Sequence, residues 1–133
     1  ADTYYGFDDA LYAALRLVNG LAEPGSPSLE ALVDALPHMH NTPEIRIECE
    51  ESRKFEVIEE IRARLQSADT QFEAVDGVRV ERPEGWWLIR ASNTGGHLIA
   101  RAEATNEKDL AKLKGDMEAQ LTQSGIALEQ KAA

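Results

Sequence analysis

A single cysteine, Cys49, leaves the chain without an internal disulfide framework and fits a reducing compartment. No apolar run approaches the roughly 20 residues of a membrane span, and nothing at the start reads as a signal peptide. Basic residues are the minority: 14 lysines and arginines stand against 24 acids in 133 residues, a net charge of −10. That balance disfavours DNA or RNA as a partner, because affinity for a phosphate backbone comes from a basic surface and released counterions. The chain also begins at Ala1 without a methionine, as a processed or cut polypeptide would. The absences point to a cytoplasmic protein with neither membrane nor nucleic acid as partner. What is present is a 43% share of hydrophobic residues, enough for a packed core. The length suits one domain or at most two small ones.

Periodicity divides the chain in two. Leu11, Leu15, Val18 and Leu21 recur at helical spacing after Asp8, a candidate N-cap. Glu23-Pro24-Gly25-Ser26-Pro27 ends that helix. A short second helix starts at Ser26 or Ser28, shows Leu29, Leu32, Val33 and Leu36 on one side, and stops at Pro37. His38 to Pro43 reads as a linker. Strict alternation from Glu44 to Glu50 then predicts a half-buried strand, with Ile45, Ile47 and Cys49 facing one way. Ser52 opens a helix with Phe55, Ile58, Ile61 and Leu65 as its apolar stripe. Three strands follow, 78–81, 86–90 and 98–103, and Asn106 caps a last helix with Asp109 three residues on. The expected fold is α+β: a four-stranded, mainly antiparallel sheet in β-α-β-β-β-α order with helices on one face, preceded by two helices of another unit. The expected domains are 1–40 and 41–133.

The strongest local pattern is Arg90-Ala91-Ser92-Asn93-Thr94-Gly95-Gly96, a turn between two strands. Arg90 offers a planar fork of donors that fits two phosphate oxygens. Ser92 and Thr94 add hydroxyls, Asn93 an amide, and the two glycines permit several N–H groups to face one anion. Residues 76–101 hold four arginines against three acids, so this window is net positive in a chain of net −10. The same Ser, Asn, Thr and Gly also make an ordinary hairpin turn, and pattern alone leaves both readings open.

The run Gly85-Trp86-Trp87-Leu88-Ile89-Arg90-Ala91-Ser92-Asn93-Thr94, followed by Leu98-Ile99-Ala100-Arg101-Ala102-Glu103-Ala104, resembles the C-terminal domain of the α-D-phosphohexomutases. It looks most like the bacterial phosphomannomutase/phosphoglucomutase branch, which carries an Arg-x-Ser-Asn-Thr phosphate loop. Tyr5 to Leu17 looks like the last long helix of the preceding, sugar-binding domain, and Asn41-Thr42-Pro43-Glu44-Ile45-Arg46 like the junction between the two. The resemblance implies a TATA-box-binding-protein-like fold for 41–133, and Arg90, Ser92, Asn93, Thr94 and Gly95 as ligands of a substrate phosphate. It implies a parent that interconverts hexose 1-phosphate and hexose 6-phosphate through a phosphoserine and a bisphosphorylated sugar, with Mg2+. The parent's partners would be mannose or glucose phosphates and the enzyme's own N-terminal domains. The family's Asp-Gly-Asp-Gly-Asp-Arg metal loop and Gly-Glu-Met-Ser-Gly-His sugar loop do not occur. The chain is therefore expected to hold no catalytic residue, metal or cofactor, and to bind phosphate weakly without catalysis. Gly95-Gly96 stands where the family usually has an acid or polar residue followed by proline, and His97 stands where the family is generally apolar. Without the rest of its domain, the segment 1–36 is expected to be poorly ordered.

The remaining constellations are weaker. His38, His40 and Cys49 lack a diagnostic metal-ligand spacing. Trp86 and Trp87 face opposite sides of a strand, so one belongs to the core and the other is half exposed. Glu48, Glu50 and Glu51 beside Arg53 and Lys54 read as a solvated face, as do Lys108, Lys112 and Lys114. Arg101 either adds to the field of the turn or pairs with an acid. A second class of function, a non-catalytic module binding a protein or small ligand on its open sheet face, is kept as the alternative.

Overall fold

The computed structural model describes residues 4–127. The chain forms two compact units, Ala1–Pro37 and His38–Ala133. The first holds helix α1 (Ala10–Ala22) and helix α2 (Leu29–Asp34). Asp9, not Asp8, caps α1, its carboxylate accepting from the Tyr12 N–H at 2.9 Å. Ser28 caps α2, accepting from the Ala31 N–H at 3.1 Å. Neither helix buries a residue, and Leu11, Leu15, Val18 and Val33 are more than half exposed.

The second unit is α+β. Strands β1 (His40–Asn41), β2 (Ile45–Glu48), β3 (Val78–Arg82), β4 (Gly85–Ala91) and β5 (His97–Ala104) form one antiparallel sheet, with helices α3 (Lys54–Ser67) and α4 (Glu107–Gln123). The path runs β1-β5-β4-β3, and β2 also pairs with β5. The sheet thus has five strands where four were expected. The fifth, β1, lies in the stretch read as a linker. Two residues are too few to show alternation, so no periodic signal marks it. Thr42 fixes it from behind: its buried hydroxyl accepts from the Ala102 N–H at 3.0 Å, and its own N–H donates to the Ala102 carbonyl at 2.9 Å.

Alternation sorts the sheet into two faces. Ile47, Val78, Val80, Trp87, Ile89, Leu98, Ala100 and Ala102 lie in one buried cluster with Val57, Ile61 and Leu65 of α3 and Leu113, Met117 and Leu121 of α4. The alanines of β5 lie beneath α4, where small side chains let the helix approach the sheet. Asn106 caps α4 as expected, accepting from the Asp109 N–H at 2.9 Å. The other face carries Arg46, Arg79, Trp86, Leu88, Arg90, Ile99 and Arg101, by the register that sets Arg90 opposite Ile99 and Ile99 opposite Arg46. Trp87 is in the core and Trp86 is half buried, with the Arg79 guanidinium 4.9 Å from its ring centre and its Nε1–H donating to Glu103 at 3.2 Å.

The stripe of α3 differs from the expected one. Phe55 is 58% exposed, whereas Lys54 is 2% exposed and shares the inner side with Val57, Ile58, Ile61 and Leu65. Arg53, not Ser52, sits at the N-cap position, and its side chain makes no capping bond. Among the described residues no helix is long and apolar enough to cross a membrane.

Candidate functional site

The end of the β4–β5 hairpin gathers every residue read as a phosphate ligand. Arg90 is the last open-face residue of β4, and Ser92 to Gly96 form the turn. The Arg90 side chain is 28% exposed, and its Nη1 lies 3.7 Å from the Asp76 carboxylate, which is mostly exposed. That contact is loose, at the limit of an ion pair, and leaves the guanidinium most of its donor capacity. Glu44 also feels the Arg90 charge. A hydrogen bond from Arg46 holds its carboxyl below the ordinary range, against some desolvation, and the Arg90 charge adds to the effect.

The turn is built from local bonds. The Ser92 N–H donates to the His97 carbonyl at 3.0 Å, closing the hairpin. The buried Ser92 hydroxyl accepts from the Thr94 N–H at 3.3 Å, and the His97 N–H donates to the Gly95 carbonyl at 2.9 Å. Asn93 and Thr94 are exposed and Gly95 is half buried. Among the described residues, the N–H groups of Asn93, Gly95 and Gly96 donate to no protein acceptor. A hairpin end carrying three uncommitted amides beside an arginine is a donor set for an anion, the arrangement of a nest.

The glycines have specific reasons. A Cβ on Gly96 would come within 3.0 Å of the Cys49 carbonyl, and the Gly96 carbonyl accepts from the Cys49 N–H at 3.2 Å. The turn is therefore tied to the end of β2 where a proline would otherwise restrict it. A Cβ on Gly95 would come within 3.0 Å of the His97 ring, which occupies that side of the turn. Gly77, at φ +78°, passes so near β4 that a Cβ would lie 2.6 Å from the Arg90 Cα.

One residue of this site, Lys54, belongs by sequence pattern to a solvated face but is 2% exposed. The Lys54 ammonium donates to the Ser92 carbonyl at 2.7 Å and the Gly95 carbonyl at 3.2 Å, and pairs with Glu51 at 2.6 Å. The signal available was its place on the helical repeat 54–58–61–65, which its charge concealed. Arg101 is exposed and forms no ion pair among the described residues. His38 and His40 are exposed, Cys49 is buried, and burial pushes the Cys49 thiol up. Among the described residues, no three His, Cys, Asp or Glu side chains gather as a metal site.

Asp76→Asn tests how free the guanidinium is. Removing the acid that pairs with it should raise affinity for inorganic phosphate about twofold, the scale of an exposed pair. Titration by NMR would show it, and unchanged affinity would mean that Asp76 does not compete for Arg90.

The second unit is an antiparallel α+β sheet whose β4–β5 hairpin ends in a donor-rich turn. Residues 44–120 match the family described as phosphoglucomutase/phosphomannomutase, C-terminal domain. The chain belongs to this family. It is 38% identical over 120 residues to a phosphomannomutase/phosphoglucomutase of Pseudomonas syringae, covering 90% of this chain and 26% of that protein. It is 40% identical over 113 residues to the phosphomannomutase/phosphoglucomutase of Pseudomonas aeruginosa, covering 85% and 24%. It is similar in structure to a phosphoglucomutase/phosphomannomutase family protein of Burkholderia thailandensis, with TM-score 0.73 and 35% identity over 92% of this chain and 25% of that one. The chain spans about a quarter of the length of the curated relatives it matches.

Proposed function

We propose that this chain is the phosphate-holding end of a hexose-phosphate mutase. The parent interconverts hexose 1-phosphate and hexose 6-phosphate, and the β4–β5 hairpin binds the phosphate that is not reacting. The observation that carries this is the combination of a loosely paired Arg90 with the uncommitted amides of Asn93, Gly95 and Gly96. A dianionic phosphate takes charge-assisted bonds from the guanidinium fork and further bonds from the amides. The Thr94 hydroxyl and the Asn93 side chain, both exposed, add donors at the rim. Ser92 serves mainly from inside, because its hydroxyl already holds the Thr94 N–H.

Holding the remote phosphate fixes the other end of the sugar for in-line transfer, so the hairpin contributes orientation, not chemistry. Magnesium and the phosphoserine, which supply charge neutralisation and the transferable phosphoryl group, belong to the rest of the parent, since the motifs for them do not occur in this sequence. The chain alone binds phosphate weakly and does not catalyse.

The test is an NMR titration of the 15N-labelled chain with inorganic phosphate and with mannose 1-phosphate. Amides of Arg90 to Gly96 are expected to shift selectively, with millimolar dissociation constants, since one loop offers few contacts. A silent hairpin, with shifts elsewhere on the open sheet face, would overturn the reading in favour of a non-catalytic binding module.

A further inference from the structure

We propose that Lys54 is a positioning residue for the phosphate site, an inference that rests on the reading of the hairpin as that site. A cation that is 2% exposed, in the first turn of a helix, is costly twice. Burial strips its water, and the helix N-terminus already carries partial positive charge. Two carbonyls and the Glu51 carboxylate offset that cost, and both carbonyls belong to the hairpin, 38 and 41 residues away in sequence.

Peptide geometry gives these bonds a consequence. The described chain has no cis peptide bond. In a trans peptide the carbonyl and the following N–H point in opposite directions. With the Ser92 carbonyl drawn to Lys54, the Asn93 N–H is turned away from it. With the Gly95 carbonyl drawn to Lys54, the Gly96 N–H is turned away likewise. Those are two of the three amides that have no protein acceptor. Lys54 thus sets the direction of two donors without touching the ligand, and its charge polarises the same two peptides toward an anion. The hydrogen bond from Cys49 to the Gly96 carbonyl supports the same side of the turn.

The experiment compares the labelled wild-type chain with Lys54→Met, using inorganic phosphate as probe at a temperature where both are folded. Methionine keeps the length and apolar stem of the side chain, so the spectrum should stay dispersed. Affinity is expected to fall at least about fivefold, as two oriented donors are lost. The Asn93 and Gly96 shifts should shrink most, while the Arg90 Nε–H still responds. A lysine that only supports the fold would lower the melting temperature and leave these shifts and the affinity as in wild type, which would overturn the proposal.

If Lys54→Met does not fold, Glu51→Gln decides, because Glu51 is exposed and outside the core. Freed from its carboxylate, the ammonium should hold the two carbonyls more strongly, so phosphate affinity should rise about twofold and the phosphate-induced shifts of Asn93 and Gly96 should grow relative to that of Gly95, which the mere loss of a nearby charge would not do. Unchanged or weaker binding would overturn the proposal. Failure of the underlying reading looks different: the wild-type hairpin itself would be silent toward phosphate.

Discussion

Arg90→Ala should reduce phosphate affinity about thirtyfold, the worth of roughly 2 kcal/mol for hydrogen bonds to a charged group. In the isolated chain that takes binding out of the measurable range, so the hairpin amides should stop responding altogether. The fold should hardly change. Among the described residues Arg90 has one ion pair, the 3.7 Å contact with Asp76, an exposed partner, and such pairs contribute at most about 1 kcal/mol. Its neighbours across the sheet, Ile99 on β5 and the residues of β3, keep their ladder bonds whatever side chain stands there. Melting temperature and amide dispersion should therefore stay near wild type while the titration goes flat. Loss of fold would mark Arg90 as structural, with its stem covering Ile99 as the cause. Arg90→Lys separates charge from shape: a lysine keeps the charge but loses the fork, so it should recover only a minor part of the affinity. In a parent enzyme carrying this domain, kcat/KM should fall by a similar factor, because binding energy at the remote phosphate is spent on orienting the reacting end.

The sheet was legible because alternation is a two-state code. Residues 44–50 show it, and the strand that forms there, 45–48, sets Ile47 in the core with Ile45 packed against it; the apolar runs 86–90 and 98–103 put Trp87, Ile89, Leu98, Ala100 and Ala102 on the core side and Trp86, Leu88 and Ile99 on the other. The hairpin was legible for a different reason, the local chemistry of Arg, Ser, Asn, Thr and Gly at a turn. Three features were not. Strand β1 is too short to carry a period, and Thr42 holds it with bonds no sequence pattern announces. The cap of α1 lies at Asp9 beside an equally plausible Asp8, since two adjacent acids offer the same chemistry. Lys54 was hidden by its charge. Phe55 and Lys54 compete for one stripe, and hydrophobicity favours the phenylalanine. The helix turns the lysine inward because the carbonyls of Ser92 and Gly95 wait there, a long-range demand that only the folded hairpin creates.

Gly77→Ala carries the other large effect, and it is one of stability. Gly77 precedes β3 at φ +78°, a region where an L side chain costs about 1 kcal/mol. Space adds more. A Cβ there would collide with the Ile89 carbonyl and lie 2.6 Å from both Cα and Cβ of Arg90, and none of these is the free end of a flexible chain. The backbone of β3 would have to move off β4, straining the ladder from Val78↔Ile89 and the bond by which Arg62 donates to the Gly77 carbonyl at 3.0 Å. A total loss of about 3–5 kcal/mol is expected, the scale of overpacking combined with backbone strain. For a unit of this size that lowers the melting temperature by more than about 10 °C. Gly125→Ala is the matched control. It also has positive φ, +73°, but a Cβ there meets nothing within 4 Å, so it should lose only the conformational part, about 1 kcal/mol. Chemical denaturation of both variants isolates the contact contribution as their difference. Equal losses would mean that β3 yields cheaply and that Arg90 is not held from its flank. A large difference would show that the position of the guanidinium is fixed by a close backbone approach from β3 as well as by the hairpin that follows it.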